Sequence, residues 1–216
     1  MGVACLQPLY DMRRAVALAE DPALVQCLYF LREAVRLVKP TVFPLYPRVG
    51  ERIVLVWTDA SGLPRLGVVL YYPDTDRWYY ASAMVPPWMV AWYKRLSRKK
   101  TYICQWEILA AVCVYLTFGD LLRSRLVHHF VDNQPALSGM IKGGSPSADS
   151  ARLIHEYTLA TIALTCRPWL GFVYSEDNLS DGPSRRDHTL MARLRATFRL
   201  MVIPRLVAWL RPSVLP

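Results

Sequence analysis

Four carboxylates stand where an apolar run ends or a helix begins: Asp59, Glu107, Asp132 and Asp181. Asp59 follows Ile53-Val54-Leu55-Val56-Trp57-Thr58, and Asp132 follows Val127-His128-His129-Phe130-Val131. Glu107 falls in the first turn of the apolar stretch Gln105 to Phe118, and Asp181 lies in Asn178-Leu179-Ser180-Asp181-Gly182-Pro183-Ser184-Arg185. Side chains alternate along a strand, so Ile53, Leu55 and Trp57 are expected to share a sheet face with Asp59. An acid that continues an apolar face is costly unless something compensates its charge, and a bound cation is one such compensation. A single Asp after a strand is usually a turn former or a helix cap. Four acids in this order, each at an element end, point instead to one shared site at the carboxyl edge of a sheet, where open α/β folds bind ligands.

The elements that must position these acids follow from hydrophobic period. Residues 53–58 are a buried strand by their β-branched, apolar composition. Leu66 to Tyr72 and Trp78 to Met84 read as two further strands, joined by the turn-rich links Ser61-Gly62-Leu63-Pro64 and Pro73-Asp74-Thr75-Asp76 into an antiparallel meander. Gln105 to Phe118 is helical, Leu126 to Val131 a strand, Asn133 to Lys142 and Ser147 to Thr165 helices, and Trp169 to Tyr174 a last strand. A helix from about Ser184 is expected to close the unit, with Pro204 ending or kinking it. A meander followed by strand–helix crossovers implies a mixed α/β sheet with helices on both faces. Ahead of it, Asp21-Pro22 starts a helix with Leu24, Leu28, Leu31, Val35 and Val38 at helical spacing, and Pro40, Pro44 and Pro47 form a stiff connector.

Bulk composition fits a folded domain that meets a polyanion. The 216 residues are 53% hydrophobic and 20% charged, which argues against disorder, and 26 Lys and Arg against 17 acids give a net charge of +9. Cys5, Cys27, Cys104, Cys113 and Cys166 show no metal-ligand spacing, and an odd count suits a disulfide framework poorly, so they read as buried apolar residues in a reducing compartment. The longest uncharged apolar run, Ile108 to Phe118, is too short to span a bilayer, and no basic-then-apolar leader pattern opens the chain. An intracellular protein with no membrane partner is the expectation.

The ordered set Thr58-Asp59-Ala60-Ser61, Glu107 on a helix, Asp132-Asn133 after a strand, and Asn178 with Asp181 and Ser184-Arg185 resembles ribonuclease H. The stretch Asp132-Asn133-Gln134-Pro135-Ala136-Leu137, with Lys142-Gly143 after it, is most similar to the ribonuclease H domains that follow reverse transcriptases in retroelements. The resemblance covers roughly residues 52 to 190. It divides the chain into a helical N-terminal extension (1–47), a ribonuclease H-like nuclease domain (48–200) and a C-terminal tail (201–216). It implies a five-stranded mixed sheet, three antiparallel strands then parallel ones, flanked by helices. It also implies two Mg²⁺ or Mn²⁺ ions and endonucleolytic cleavage of RNA paired to DNA. Asp59, Glu107, Asp132 and Asp181 would be both the metal ligands and the catalytic residues. On the family pattern Asp59 bridges both ions, Glu107 and Asp132 hold the water-activating ion, and Asp181 holds the other. Mg²⁺ prefers hard oxygen ligands, and two ions about 4 Å apart can flank a scissile phosphate. Integrase-like relatives place their Glu late, whereas Glu107 falls between the first and second Asp, which favours ribonuclease H.

Two departures from the family pattern bear on turnover. The loop before the last acid, Ser175-Glu176-Asp177-Asn178, lacks the His that many members carry, and Gln105 is the one nearby candidate for the residue that contacts the hybrid beside the helix acid. Ser61 and Gly62 are placed to meet an RNA 2′-hydroxyl, or simply to turn the chain. Asn133 is a candidate minor-groove contact or a helix cap. Arg185 and Arg186 stand beside Asp181 and face backbone phosphates, as does the run Lys94-Arg95-Leu96-Ser97-Arg98-Lys99-Lys100 with Trp88 and Trp92 before it. The missing His leaves open a catalytically degenerate module that only binds nucleic acid or a partner protein. The chain has no Tyr-x-Asp-Asp polymerase motif, so it is not a polymerase on its own, and two alternatives stay open: a free-standing nuclease, or one piece of a larger polyprotein with a reverse transcriptase domain as partner.

Overall fold

The computed structural model describes residues 22–38, 50–96 and 101–204. The Asp21 cap, the connector prolines, Ser97 to Lys100, Cys5 and the tail from 205 onward lie outside them. In chain order the elements are α1 (Pro22–Leu37), β1 (Val54–Ala60), β2 (Arg65–Tyr72), β3 (Arg77–Met84), α2 (Pro87–Leu96), α3 (Ile103–Thr117), α4 (Gly119–Leu122), β4 (Leu126–Val131), α5 (Gln134–Lys142), α6 (Ala148–Ala163), β5 (Arg167–Phe172), α7 (Asp181–Ser184), α8 (Thr189–Arg193) and β6 (Thr197–Phe198). The sheet order is β5-β4-β1-β2-β3-β6. β1, β2 and β3 are antiparallel, whereas β1 with β4 and β4 with β5 are parallel, which is the expected mixed arrangement. A sixth strand is added: the two-residue β6 pairs parallel with β3 at Tyr79 and Tyr80.

α3 is the central support. Its residues from Gln105 to Tyr115 are all buried, as expected of a helix apolar on every side. It lies between the sheet and α6, with Ile108, Leu109, Val112 and Tyr115 in one core cluster with Val56, Val68, Leu70 and Val127. Each large side chain so buried contributes about 1.5–3 kcal/mol. α5 begins at Asn133, whose Oδ1 accepts from the Ala136 amide at 3.0 Å, and ends at Gly143 in the left-handed conformation (φ 69°).

Four sequence expectations are corrected. The buried face of β1 is Val54, Val56 and Thr58; Leu55 and Trp57, on the face of Asp59, are half-buried and Ile53 is exposed. Both sides of that strand are apolar, and it is the packing of α3 that selects the side which is sealed. Trp57 instead stacks on Phe130 and Trp78 at centroid distances of 5.2 and 6.0 Å on the opposite, more open face. In α1 the buried stripe is Cys27, Phe30 and Ala34 against α6, while Leu28, Val35 and Val38 are exposed. The closing helix expected from Ser184 is broken into α7, α8 and β6 by Arg186 and Arg195 at positive φ (69° and 50°), after which Arg199 pairs with Asp120 and Met201 enters the core. The segment Pro87–Leu96, read only as an approach to the basic run, is a helix whose Met89 and Tyr93 are fully buried. No described helix is long and apolar enough to cross a membrane.

Candidate active site

Asp59 and Asp132 are carried past the last paired residues of neighbouring parallel strands, Thr58 and Val131. Glu107 arrives from α3 on the other side of β1, and its Oε1 accepts a hydrogen bond from the Ala60 amide at 3.0 Å. A ligand oxygen from each of Asp59, Glu107 and Asp132 lies within 4.8 Å of the others. Asp59 and Glu107 are 5% and 2% exposed, and neither Asp59 Oδ2 nor Glu107 Oε2 has a hydrogen-bond donor. Buried carboxylate oxygens without partners are costly. Burial, with the charges of Asp132 and Asp181, pushes the Asp59 carboxyl up to about 6, against the opposing Ser184 hydroxyl and Arg185. Burial and the charges of Asp59 and Asp132 hold Glu107 well above the usual carboxylate range. A divalent cation at their common point would supply the missing partner.

Asp181 reaches the site from the opposite sheet face. Asp59 is paired in register with Gly67, and α7 lies directly on that glycine: a Cβ there would stand 2.5 Å from Ser180 O and 2.6 Å from Ser184 N. Asn178 fastens the preceding loop by donating from Nδ2 to Thr58 O at 3.1 Å while Oδ1 accepts from the Ser180 hydroxyl at 2.6 Å. Asp181 lines the cleft but is not one of the three converging acids; its Oδ1 accepts from Arg185 Nε at 2.7 Å. The 3-10 turn Ser175–Asp177, where a His was sought, directs Ser175 Oγ to Asp132 Oδ2 at 2.9 Å, while Glu176 is exposed away from the cleft.

The acids form the floor of an open cleft of about 840 Å³. Ser61, Gly62, Asn133 and Arg185 line it with them; Gln105 and Arg186 do not. Gln105 is buried, donates to Ser150 Oγ at 3.1 Å and borders a separate hollow between α3, α5 and α6. Arg186, at positive φ, stands near Arg65. Tyr102, Trp106, Val90 and Lys94 form the far wall. Of these wall residues sequence reasoning named only Lys94; it missed Tyr102, Trp106 and Val90, and also Gly67, although a glycine within a strand signals close approach of another backbone. It missed a buried link as well: His129 Nε2 lies 2.9 Å from Thr58 Oγ1 and Nδ1 3.2 Å from the Tyr115 hydroxyl. That link joins β1, β4 and α3, the three elements bearing the converging acids. His188 packs on Tyr80 and His155 on Phe30, and neither lines the cleft.

Fold and site together define a mixed α/β domain with an acidic cleft at the carboxyl edge of its parallel strands. No protein-family model matches the sequence, and no curated protein does. Solved structures similar to it include the N-terminal RNase H domain of a Mycobacterium tuberculosis protein, determined as a fusion with maltose-binding protein. It is 14% identical, covers 66% of this chain and 98% of its own, and has a TM-score of 0.44. RNase H1 from the halophilic archaeon Halobacterium salinarum is 15% identical, with 66% and 99% covered and a TM-score of 0.42.

Proposed function

We propose that this chain is a divalent-metal-dependent endonuclease that hydrolyses the RNA strand of RNA–DNA hybrids. The reading is carried by the two partnerless buried oxygens, Asp59 Oδ2 and Glu107 Oε2, beside Asp132 on the floor of an open cleft. An all-oxygen donor set suits Mg²⁺ or Mn²⁺ rather than a soft metal. Asp59, Glu107 and Asp132 would hold the metal, with Asp181 serving a second ion; when bound, the ions supply an activated water and charge stabilisation at the phosphodiester. The chain's own groups do the positioning. The Ala60 amide fixes Glu107, the Ser175 hydroxyl orients Asp132, and Asn178 ties the Asp181 loop to β1. Lys94 and Arg185 offer positive charge on the cleft walls for backbone phosphates, and Ser61 and Gly62, which also line the cleft, would offer backbone groups to a ribose 2′-hydroxyl. Association with a retroelement reverse transcriptase, as a partner or within one polyprotein, is supported by the Asp132 to Leu137 segment with Lys142-Gly143.

Two observations favour a second reading, a module that binds nucleic acid without cutting it: the fourth acid is held by Arg185, and the loop before it carries no imidazole. Incubation with labelled hybrid, RNA duplex and DNA duplex in Mg²⁺ or Mn²⁺ separates the two. Cleavage of the hybrid by the wild type and its loss in Asp59→Asn is the expected result. Chelator-insensitive binding without cleavage selects the second reading, and preference for DNA duplex moves the assignment to another nuclease on this fold.

A further inference from the structure

The proposal concerns regulation of the site just described and rests on its reading as a metal centre. Asp59, Glu107 and Asp132 converge, but Asp181 is engaged by a cleft neighbour, its Oδ1 accepting a hydrogen bond from Arg185 Nε at 2.7 Å across a single turn. The guanidinium lies on the cleft wall, where Asp59 and Asp132 as well as Asp181 act on its charge. Its side chain is 65% exposed and that of Asp181 33%, so neither is locked by packing. A carboxylate oxygen directed at a guanidinium must give up or share that contact to accept a metal ion.

We propose that Arg185 is a built-in competitor for the second cation: it occupies Asp181 while the cleft is empty of substrate, and on exchange its freed guanidinium turns to a phosphate of the bound strand. The three converging acids then load the first ion independently, and the complete site forms only when an anionic backbone is present to receive Arg185. Arginine suits this exchange because one planar fork serves carboxylate and phosphate equally. Arg185 is thus a positioning residue acting through Asp181. An exposed pair of this kind is weak, so the expected competition is about two- to fivefold and fades with salt.

The test is Mn²⁺ titration of the full chain without nucleic acid, followed by electron paramagnetic resonance of free Mn²⁺, for the wild type, Arg185→Ala, Arg185→Lys, Asp181→Asn and the double variant. Arg185→Ala should tighten the weaker Mn²⁺ site about two- to fivefold at low ionic strength, with Arg185→Lys between it and the wild type. The gain should vanish in the Asp181→Asn background, while Arg185→Ala raises KM for the hybrid. Unchanged Mn²⁺ affinity in Arg185→Ala, or a gain that persists without Asp181, overturns the competition while leaving the metal centre standing. Absence of any Mn²⁺ binding in the wild type overturns the metal centre itself and this proposal with it.

Discussion

Replacing Asp59 by Asn in the metal-free protein should make it more stable, and the gain should depend on pH. The Asp59 carboxyl titrates at 3.8 when free and at about 6 in the folded chain, chiefly because it is buried and then because Asp132 and Asp181 stand near it. At 1.36 kcal/mol per pH unit this corresponds to about 3 kcal/mol. The folded value is the higher one, so the associated stability is fully present below about pH 4 and is lost as pH rises to about 6. Glu107 is raised in the same direction and relaxes when the Asp59 charge is removed, which adds to the gain. Urea unfolding in chelator from acid to neutral pH should therefore show Asp59→Asn gaining on the wild type by about 3 kcal/mol over that window. Mn²⁺ at about a hundred times its Kd should return about 2.7 kcal/mol to the wild type and little to the variant. Parallel stability curves for the two proteins would refute the claim that Asp59 is buried among like charges.

Two further perturbations probe how the site is held. Gly67→Ala would put a Cβ 2.5 Å from Ser180 O and 2.6 Å from Ser184 N, so α7 must lift by nearly an ångström. The cost should be about 1–3 kcal/mol in urea unfolding, with kcat down by up to about 10²-fold as Asp181 is displaced; unchanged stability and turnover would show that α7 is not clamped on β2. His129→Phe leaves the buried Thr58 and Tyr115 hydroxyls without their shared partner and should cost about 2–5 kcal/mol near pH 8. Burial lowers the His129 imidazole to about 3, from 6.5 when free, so the folded wild type resists protonation that the unfolded chain accepts. The cost of the substitution should accordingly shrink by about 1.4 kcal/mol for each pH unit below about 6.5, and a cost constant with pH would contradict a neutral, buried ring.

Much of the frame was legible because its signals are local. The β-branched run before Thr58, the Asn133 cap with Pro135 behind it, Gly143 at the helix end and the turn residues at 61–64 and 73–76 act within a few residues of themselves, and the elements lie where those signals put them. The order of the four acids was legible for the same reason: Asp59 and Asp132 stand at strand ends and Asp181 opens α7, while Glu107 lies in the second turn of α3, which begins two residues earlier than expected. The break in the last helix was not: Arg186 and Arg195 adopt positive φ, and no glycine or proline stands at either position to announce it.

By itself the sequence determined the order of β1 to β5 and of the helices carrying or following the acids, and it proposed four acids for one site, of which three converge. Only tertiary packing decided which side of β1 is sealed, because both sides are apolar and the choice belongs to α3. Packing also sent Gln105 toward Ser150 rather than into the cleft, set α7 on Gly67 and gave Asp181 to Arg185. These outcomes depend on which surfaces meet across long stretches of chain, and no short window of residues contains that information.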